Sequence, residues 1–304
     1  MIYILIAVVL LVLFVSYKTY DYAFRRDPKR QALEDEVPDS KLKMKVIRNI
    51  YSLMHEPFEE VYISSYDETR LYARYYHYKD GAPVAIIMHG YRSNYCRDGN
   101  GGFKIAKEYG MNILLPDQRA HGKSDGNVIT FGIKERYDCR EWVKYITNRE
   151  GKDTPIVLVG LSMGAATVMM ASDIVGDNVK GIVADCGFSS PQEIIKAVAK
   201  QKKIPPYAGA VFAKLGAFLF GRFRLGDATA LKALENTKVP VLFIHGDDDS
   251  YVPCSMSKLC YDSCRSDKEI LIVDGATHGM SYYVDTNGYT EKVRNFFDKV
   301  LFSV

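Results

Sequence analysis

Covalent chemistry is first suggested, by residue type and spacing, at Gly160-Leu161-Ser162-Met163-Gly164. The apolar run Ile156-Val157-Leu158-Val159 precedes it, and Ala165-Ala166-Thr167-Val168-Met169-Met170 follows. A buried strand, a sharp turn and a helix are therefore written in consecutive residues. A serine at such a turn is held in a strained backbone conformation, and the glycines two positions either side remove side chains that would collide. Its hydroxyl projects above the sheet, beside the amino end of the next helix, where the N–H of Met163 can help hold an oxyanion. A serine hydroxyl is a weak nucleophile until a base takes its proton, and that base needs a carboxylate to fix its tautomer. Two later segments supply such groups, each after an apolar run. One is His245-Gly246-Asp247-Asp248-Asp249-Ser250-Tyr251-Val252-Pro253; the other is Asp274-Gly275-Ala276-Thr277-His278-Gly279, with His278 as the base.

Strand ends must carry these groups. Val61–Ser65 and Leu71–Tyr78 flank the turn Asp67-Glu68-Thr69 and predict an antiparallel hairpin. Strands are then expected at Val84–Met88, Asn112–Leu115, Ile156–Val159, Gly181–Ala184, Val241–Ile244 and Ile270–Val273. Helices are expected between and after them, at Phe103–Tyr109, Lys134–Arg149, Ala165–Ile174, Pro253–Cys264 and Tyr289–Leu301. This alternation predicts an α/β fold with a mostly parallel eight-stranded sheet covered on both faces, its ligand site at the carboxyl ends of the strands.

The alternation breaks between Ala184 and Val239, where about 50 residues are inserted, long for a connection. The helical pattern Glu193–Lys200, the breaker Ile204-Pro205-Pro206 and the apolar run Tyr207–Phe220 predict helices forming a lid over about 191–226. Lys196, Lys200, Lys202, Lys203, Lys214, Arg222 and Arg224 stand there against Glu193. A basic, apolar lid suits contact with a membrane, or a substrate with an acyl chain and an anionic group. A lid packing its apolar side on the body, with its lysines solvated, fits the same pattern.

At the amino end, Met1–Val15 is almost uninterrupted apolar sequence, and with Tyr17 it reaches the roughly 17 residues needed to cross a bilayer. No Lys or Arg precedes it and no small-x-small cleavage site follows. Lys18, Arg25, Arg26, Lys29 and Arg30 come next, which by the positive-inside rule keeps the following domain cytoplasmic. The expected organisation is a transmembrane anchor over 1–17, a basic linker with an amphipathic helix over 18–58, and a catalytic domain over 59–304. Within the middle segment, 27–40 reads as linker and Lys41–His55 as the helix.

A chain of 304 residues can bury one large core, and a net charge of +3 is too small to argue for nucleic acid. The six cysteines are scattered without metal-ligand spacing, so free thiols in a reducing compartment are expected. No P-loop, dinucleotide-binding glycine fingerprint or metal cluster competes with the serine chemistry, and neither cofactor nor metal is expected.

From Glu59 to Leu301 the chain resembles the α/β-hydrolase superfamily, and within it bacterial esterases and serine aminopeptidase-like hydrolases. The resemblance rests on Met88-His89-Gly90-Tyr91, on Pro116-Asp117-Gln118-Arg119-Ala120-His121-Gly122-Lys123-Ser124, on the Gly160–Gly164 turn and on the two later strand-end segments. It implies Ser162 as nucleophile, Asp249 as acid and His278 as base, in the superfamily's chain order. The pattern His-Gly-x-x-Asp-x-x-Val-Pro selects Asp249 and leaves Asp247 and Asp248 as turn residues; Asp185, at another strand end, is a second candidate acid. It implies an oxyanion hole of the Tyr91 and Met163 N–H groups, and a structural role for His121. Tyr91-Arg92-Ser93 departs from the glycine run of some lipases and esterases, which argues against bulky tertiary-alcohol esters. Serine at the turn excludes the haloalkane dehalogenase-like and epoxide hydrolase-like branches, which need Asp there. The implied activity is carboxylic-ester hydrolysis through an acyl-enzyme, on a small acyl substrate that can be lipid-like. Peptidase, thioesterase and acyltransferase activities use the same chemistry, and a non-catalytic binding relative is the alternative of another class.

Overall fold

The computed structural model describes residues 1–27 and 40–302. The linker expected over 27–40 lies, apart from its end residues, outside that range. The first elements are α1 (Ile2–Ala23), α2 (Ser40–Met54), β1 (Glu59–Ser64), β2 (Arg70–Tyr76), β3 (Val84–Met88), α3 (Tyr95–Tyr109), β4 (Asn112–Asp117) and α4 (Glu135–Glu150). Next come β5 (Ile156–Leu161), α5 (Met163–Ala171), β6 (Val179–Asp185), α6 (Pro191–Gln201), α7 (Pro206–Leu219) and α8 (Ala230–Leu234). The chain closes with β7 (Val241–Gly246), α9 (Ser255–Ser263), β8 (Lys268–Val273), α10 (Ser281–Val284) and α11 (Thr286–Phe302).

The strands form one eight-stranded sheet in the order β1-β2-β4-β3-β5-β6-β7-β8. β2 pairs antiparallel with β1 and with β4, and all other neighbours are parallel. β3 and β7 are buried along their whole length, as strands covered on both faces require. On one face Trp142 of α4, Met169 of α5, Leu234 of α8 and Cys260 of α9 join a single apolar cluster. On the other, Phe103 of α3 meets Val293, Phe296 and Phe297 of α11.

α3 begins two turns earlier than its sequence pattern suggests. Asn94 starts it, its side chain accepting from the N–H groups of Cys96 (3.1 Å) and Arg97 (2.9 Å). Gly99, Gly101 and Gly102 hide those turns because glycine weakens a helical pattern. Gly101 is there for close packing: a Cβ at that position would stand 2.9 Å from the Tyr282 ring of α10.

Among the described residues, α1 is the one helix long and apolar enough to cross a membrane. It runs past Tyr17 to Ala23, and its end is built into the domain. Ser16 is buried, and Phe24 is fully buried with its ring 5.6 Å from Phe131 and 5.3 Å from Phe223. The Phe24 carbonyl accepts from Ile129 N–H at 2.7 Å, and Arg25 pairs with Val128 in an isolated antiparallel bridge. The insertion between β6 and β7 supplies α6, α7 and α8.

Candidate active site

β5 ends at Leu161, and Ser162 turns the chain into α5 with φ 55° and ψ −115°. An L-residue holds such a conformation only under strain, so the surroundings must fix it. Ser162 N–H donates to Asp185 O at 2.9 Å, and Ser162 O accepts from Ala166 N–H at 3.0 Å. The flanking glycines are required by contact. A Cβ on Gly164 would overlap the Met88 carbonyl of β3, and one on Gly160 would overlap the Gly164 carbonyl. Met163 is the first residue of α5, whose opening N–H groups have no acceptor within the helix.

The loop after β3 comes to the same point. A Cβ on Gly90 would stand 3.3 Å from Ser162 Cβ and 2.7 Å from an Asp98 carboxylate oxygen, so the loop passes only because residue 90 is glycine. Gly90 N–H donates to Asp98 Oδ2 at 2.7 Å. Tyr91 follows directly, and then Arg92, at φ 53°, donates its N–H to His121 Nε2 at 2.9 Å. Burial lowers His121 to about 3, so its ring is neutral and Nε2 is free to accept, while Nδ1 donates to Arg119 O at 2.9 Å. His121 thus braces the loop that carries Tyr91.

β7 and β8 bring up the remaining groups. Ser162 Oγ donates to His278 Nε2 at 2.9 Å, and His278 Nδ1 donates to Asp249 Oδ2 at 2.7 Å. The other oxygen, Oδ1, accepts from the N–H groups of Tyr251 (2.9 Å) and Val252 (2.8 Å). Burial pushes the Asp249 carboxyl upward, but hydrogen bonds from His245 and His278 and the charge of His278 outweigh it and hold the group well below the usual carboxylate range. Such a chain can take a proton from Ser162 and stabilise the resulting imidazolium.

Comparison with known proteins matches residues 100–223 to the family model described as the alpha/beta hydrolase fold. An esterase of Pyrococcus furiosus, PF2001, superposes with a TM-score of 0.68 at 23% identity, over 82% of this chain and 94% of that one. The chain has the α/β-hydrolase fold. Est1E of Butyrivibrio proteoclasticus is similar in fold at TM-score 0.61 and 21% identity, over 80% of this chain and 100% of that one. In sequence, YqkD of Bacillus subtilis is 28% identical over 73% of each chain. Protein bem46 of Schizosaccharomyces pombe is 24% identical over 52% of this chain and 48% of its own.

The second candidate acid, Asp185, makes no hydrogen bond to His278 and bonds elsewhere. It ends β6, fully buried, and takes hydrogen bonds from Tyr289 Oη (3.1 Å) and Ser281 Oγ (3.5 Å). Burial pushes it up to about 6. Asp247 and Asp248 remain in the turn, Asp247 accepting from Gly275 N–H at 2.7 Å. Cys186, Asp249 and His278 offer ligand atoms within 4.8 Å of one another. Burial drives the Cys186 thiol well above its usual range. All six cysteines are free, Cys260 and Cys264 included.

Sequence reasoning gave no role to His245. It is fully buried, accepts from Ser257 Oγ at Nδ1 (2.6 Å), and donates from Nε2 to Val252 O (2.9 Å) and Asp249 Oδ2 (3.1 Å). Gln201, at the end of α6, donates to the carbonyls of Ser250 and Tyr251. The insertion therefore grips the loop that presents Asp249.

Proposed function

We propose that this protein is a membrane-anchored serine hydrolase acting on carboxylic esters. The observation that carries the proposal is the continuous hydrogen-bonded line Ser162–His278–Asp249, at 2.9 and 2.7 Å, starting from a serine in a strained turn. His278 takes the Ser162 proton as Oγ attacks the ester carbonyl. The oxyanion collects the N–H of Met163 and that of Tyr91, each worth about 3 kcal/mol of transition-state stabilisation. His278 then protonates the leaving alcohol. A water enters, gives its proton to His278 and attacks the acyl-enzyme; the acid leaves and Ser162 recovers its proton. Asp249 holds the Nδ1 tautomer throughout and offsets the imidazolium charge. Ester substrates are favoured because the superposed folds include esterases, Est1E with ferulic acid bound among them.

α1 serves as the anchor. A leader removed by cleavage is a poor account of it, because Phe24 fills the core and Arg25 pairs with Val128. The cationic flank Lys18, Arg25, Arg26, Lys29 and Arg30 favours a cytoplasmic domain.

Turnover of p-nitrophenyl esters over a range of acyl lengths tests the reaction. Wild type hydrolyses them and Ser162→Ala loses at least about 10³-fold in kcat. Equal rates in the two proteins would refute it.

A further inference from the structure

A groove at the end of α7 takes no part in this chemistry. It encloses about 390 Å³ and is lined by Phe218, Arg222, Phe223, Arg224 and Asp227. The Arg224 guanidinium lies 5.8 Å from the Phe218 ring. Neither arginine forms an ion pair with a carboxylate among the described residues, although Asp227 shares the groove.

α1 fixes the level at which the groove lies. A helix rises about 1.5 Å per residue, and the hydrocarbon of a bilayer takes about 20 residues. Counted from Ile2, that length ends at Asp21. Ser16–Tyr20 therefore lie within about 8 Å of the headgroup side, and there α1 packs on the end of α7. A Cβ on Gly216 would be 2.5 Å from Ser16 O and 3.1 Å from Tyr20 Cβ. The Phe220 ring is 5.3 Å from Tyr17 and 5.9 Å from Tyr20. Phe223, in the wall of the groove, touches Phe24 just beyond α1. Tyr17, Phe218 and Leu219 stay exposed at this level, where aromatic side chains favour the membrane interface.

We propose that this groove binds the headgroup of an anionic bilayer phospholipid, its phosphate held by Arg222 and Arg224 and its acyl chains lying along Phe218 and Tyr17. Guanidinium forks match phosphate oxygens and are more weakly hydrated than ammonium groups. The lining has two cations against Asp227, so an anionic headgroup is favoured over a zwitterionic one. One basic residue at an anionic membrane surface is worth about fivefold in occupancy. The proposal rests on α1 as an anchor and is independent of the hydrolase chemistry.

Brominated-lipid quenching in nanodiscs tests it on the full chain, with Phe218→Trp as reporter in the groove and Phe14→Trp as reporter in α1. The native Trp142 is buried and gives a constant background. Phe14→Trp is expected to be quenched by brominated phosphatidylglycerol and phosphatidylcholine alike. Phe218→Trp is expected to favour phosphatidylglycerol about fivefold or more at equal mole fraction. Adding Arg222→Ser and Arg224→Ser should remove that excess without changing the melting temperature, and inorganic phosphate at constant ionic strength should leave it intact. Equal quenching of Phe218→Trp by the two lipids, or none, overturns the headgroup site. Loss of the excess to inorganic phosphate overturns the lipid as its occupant. Failure of both lipids to quench Phe14→Trp defeats the anchor reading itself.

Discussion

Tyr91 Oη donates to the carbonyl of Ala23, the last residue of α1, at 2.9 Å. Arg92 Nη2 donates to Tyr22 O at 2.6 Å and to Arg25 O at 3.2 Å. The last carbonyls of a helix lack partners within it, and here the loop beside Ser162 supplies them. The apolar amino-terminal helix is thereby tied to the residue whose N–H is proposed to hold the oxyanion. Tyr91→Phe keeps the ring stacked on Phe131 and removes the hydroxyl that reaches the end of α1. A neutral hydrogen bond of this kind is worth about 1 kcal/mol, so kcat should fall about fivefold with KM nearly unchanged. Unaltered kcat in steady-state assays would show that the tie does not position the loop.

The packed end of α1 should matter for stability as well. Phe24 is fully buried between Phe131 and Phe223. Phe24→Ala should destabilise the domain by about 3–5 kcal/mol. Chemical denaturation in detergent checks this, and a change below about 1 kcal/mol would mean that α1 rests on the domain without contributing to its core.

The two candidate acids make opposite predictions for activity. Asp249→Asn removes the charge facing His278 Nδ1 and favours the wrong tautomer, so kcat should fall about 10⁴-fold. Asp185→Asn leaves that contact intact and should cost less than about tenfold. Steady-state ester kinetics on both variants decides, and a larger loss in Asp185→Asn would reverse the assignment.

Asp185 should instead show itself in the pH dependence of stability. Burial raises its folded pKa to about 6, from the ordinary 3.8. Between those values the folded protein holds a proton that the unfolded chain releases. The group's stabilising contribution is therefore present below about pH 4 and lost as pH rises through about 6. Two pKa units correspond to about 3 kcal/mol. Asp185→Asn escapes this loss, so its stability relative to wild type should rise by up to about 3 kcal/mol between pH 4 and pH 7. Urea titrations at the two pH values measure it, and a pH-independent difference would contradict the buried charge.

Much of the site was legible because its constraints are local. A serine in a strained strand-to-helix turn needs glycines at 160 and 164, and both are written beside it. The sheet was legible because covered parallel strands are unbroken apolar runs. What stayed hidden depends on distant partners. His245, in an apolar strand, looks like a core residue until its bonds to Asp249 and Ser257 are seen. The grip of Tyr91 and Arg92 on α1 joins segments about seventy residues apart, with no local pattern to mark it. The continuation of α1 to Ala23 was obscured by Lys18 and Asp21, which interrupt the hydropathy and leave the helix unbroken.

The central claim, that Ser162 is an activated nucleophile, is tested most directly by a fluorophosphonate probe, with intact mass and peptide mapping as the readout. The account predicts a single adduct, on Ser162, absent from Ser162→Ala and formed at least about 100-fold more slowly in His278→Ala. A folded wild-type protein that takes up no probe, or takes it up on another serine, would contradict it.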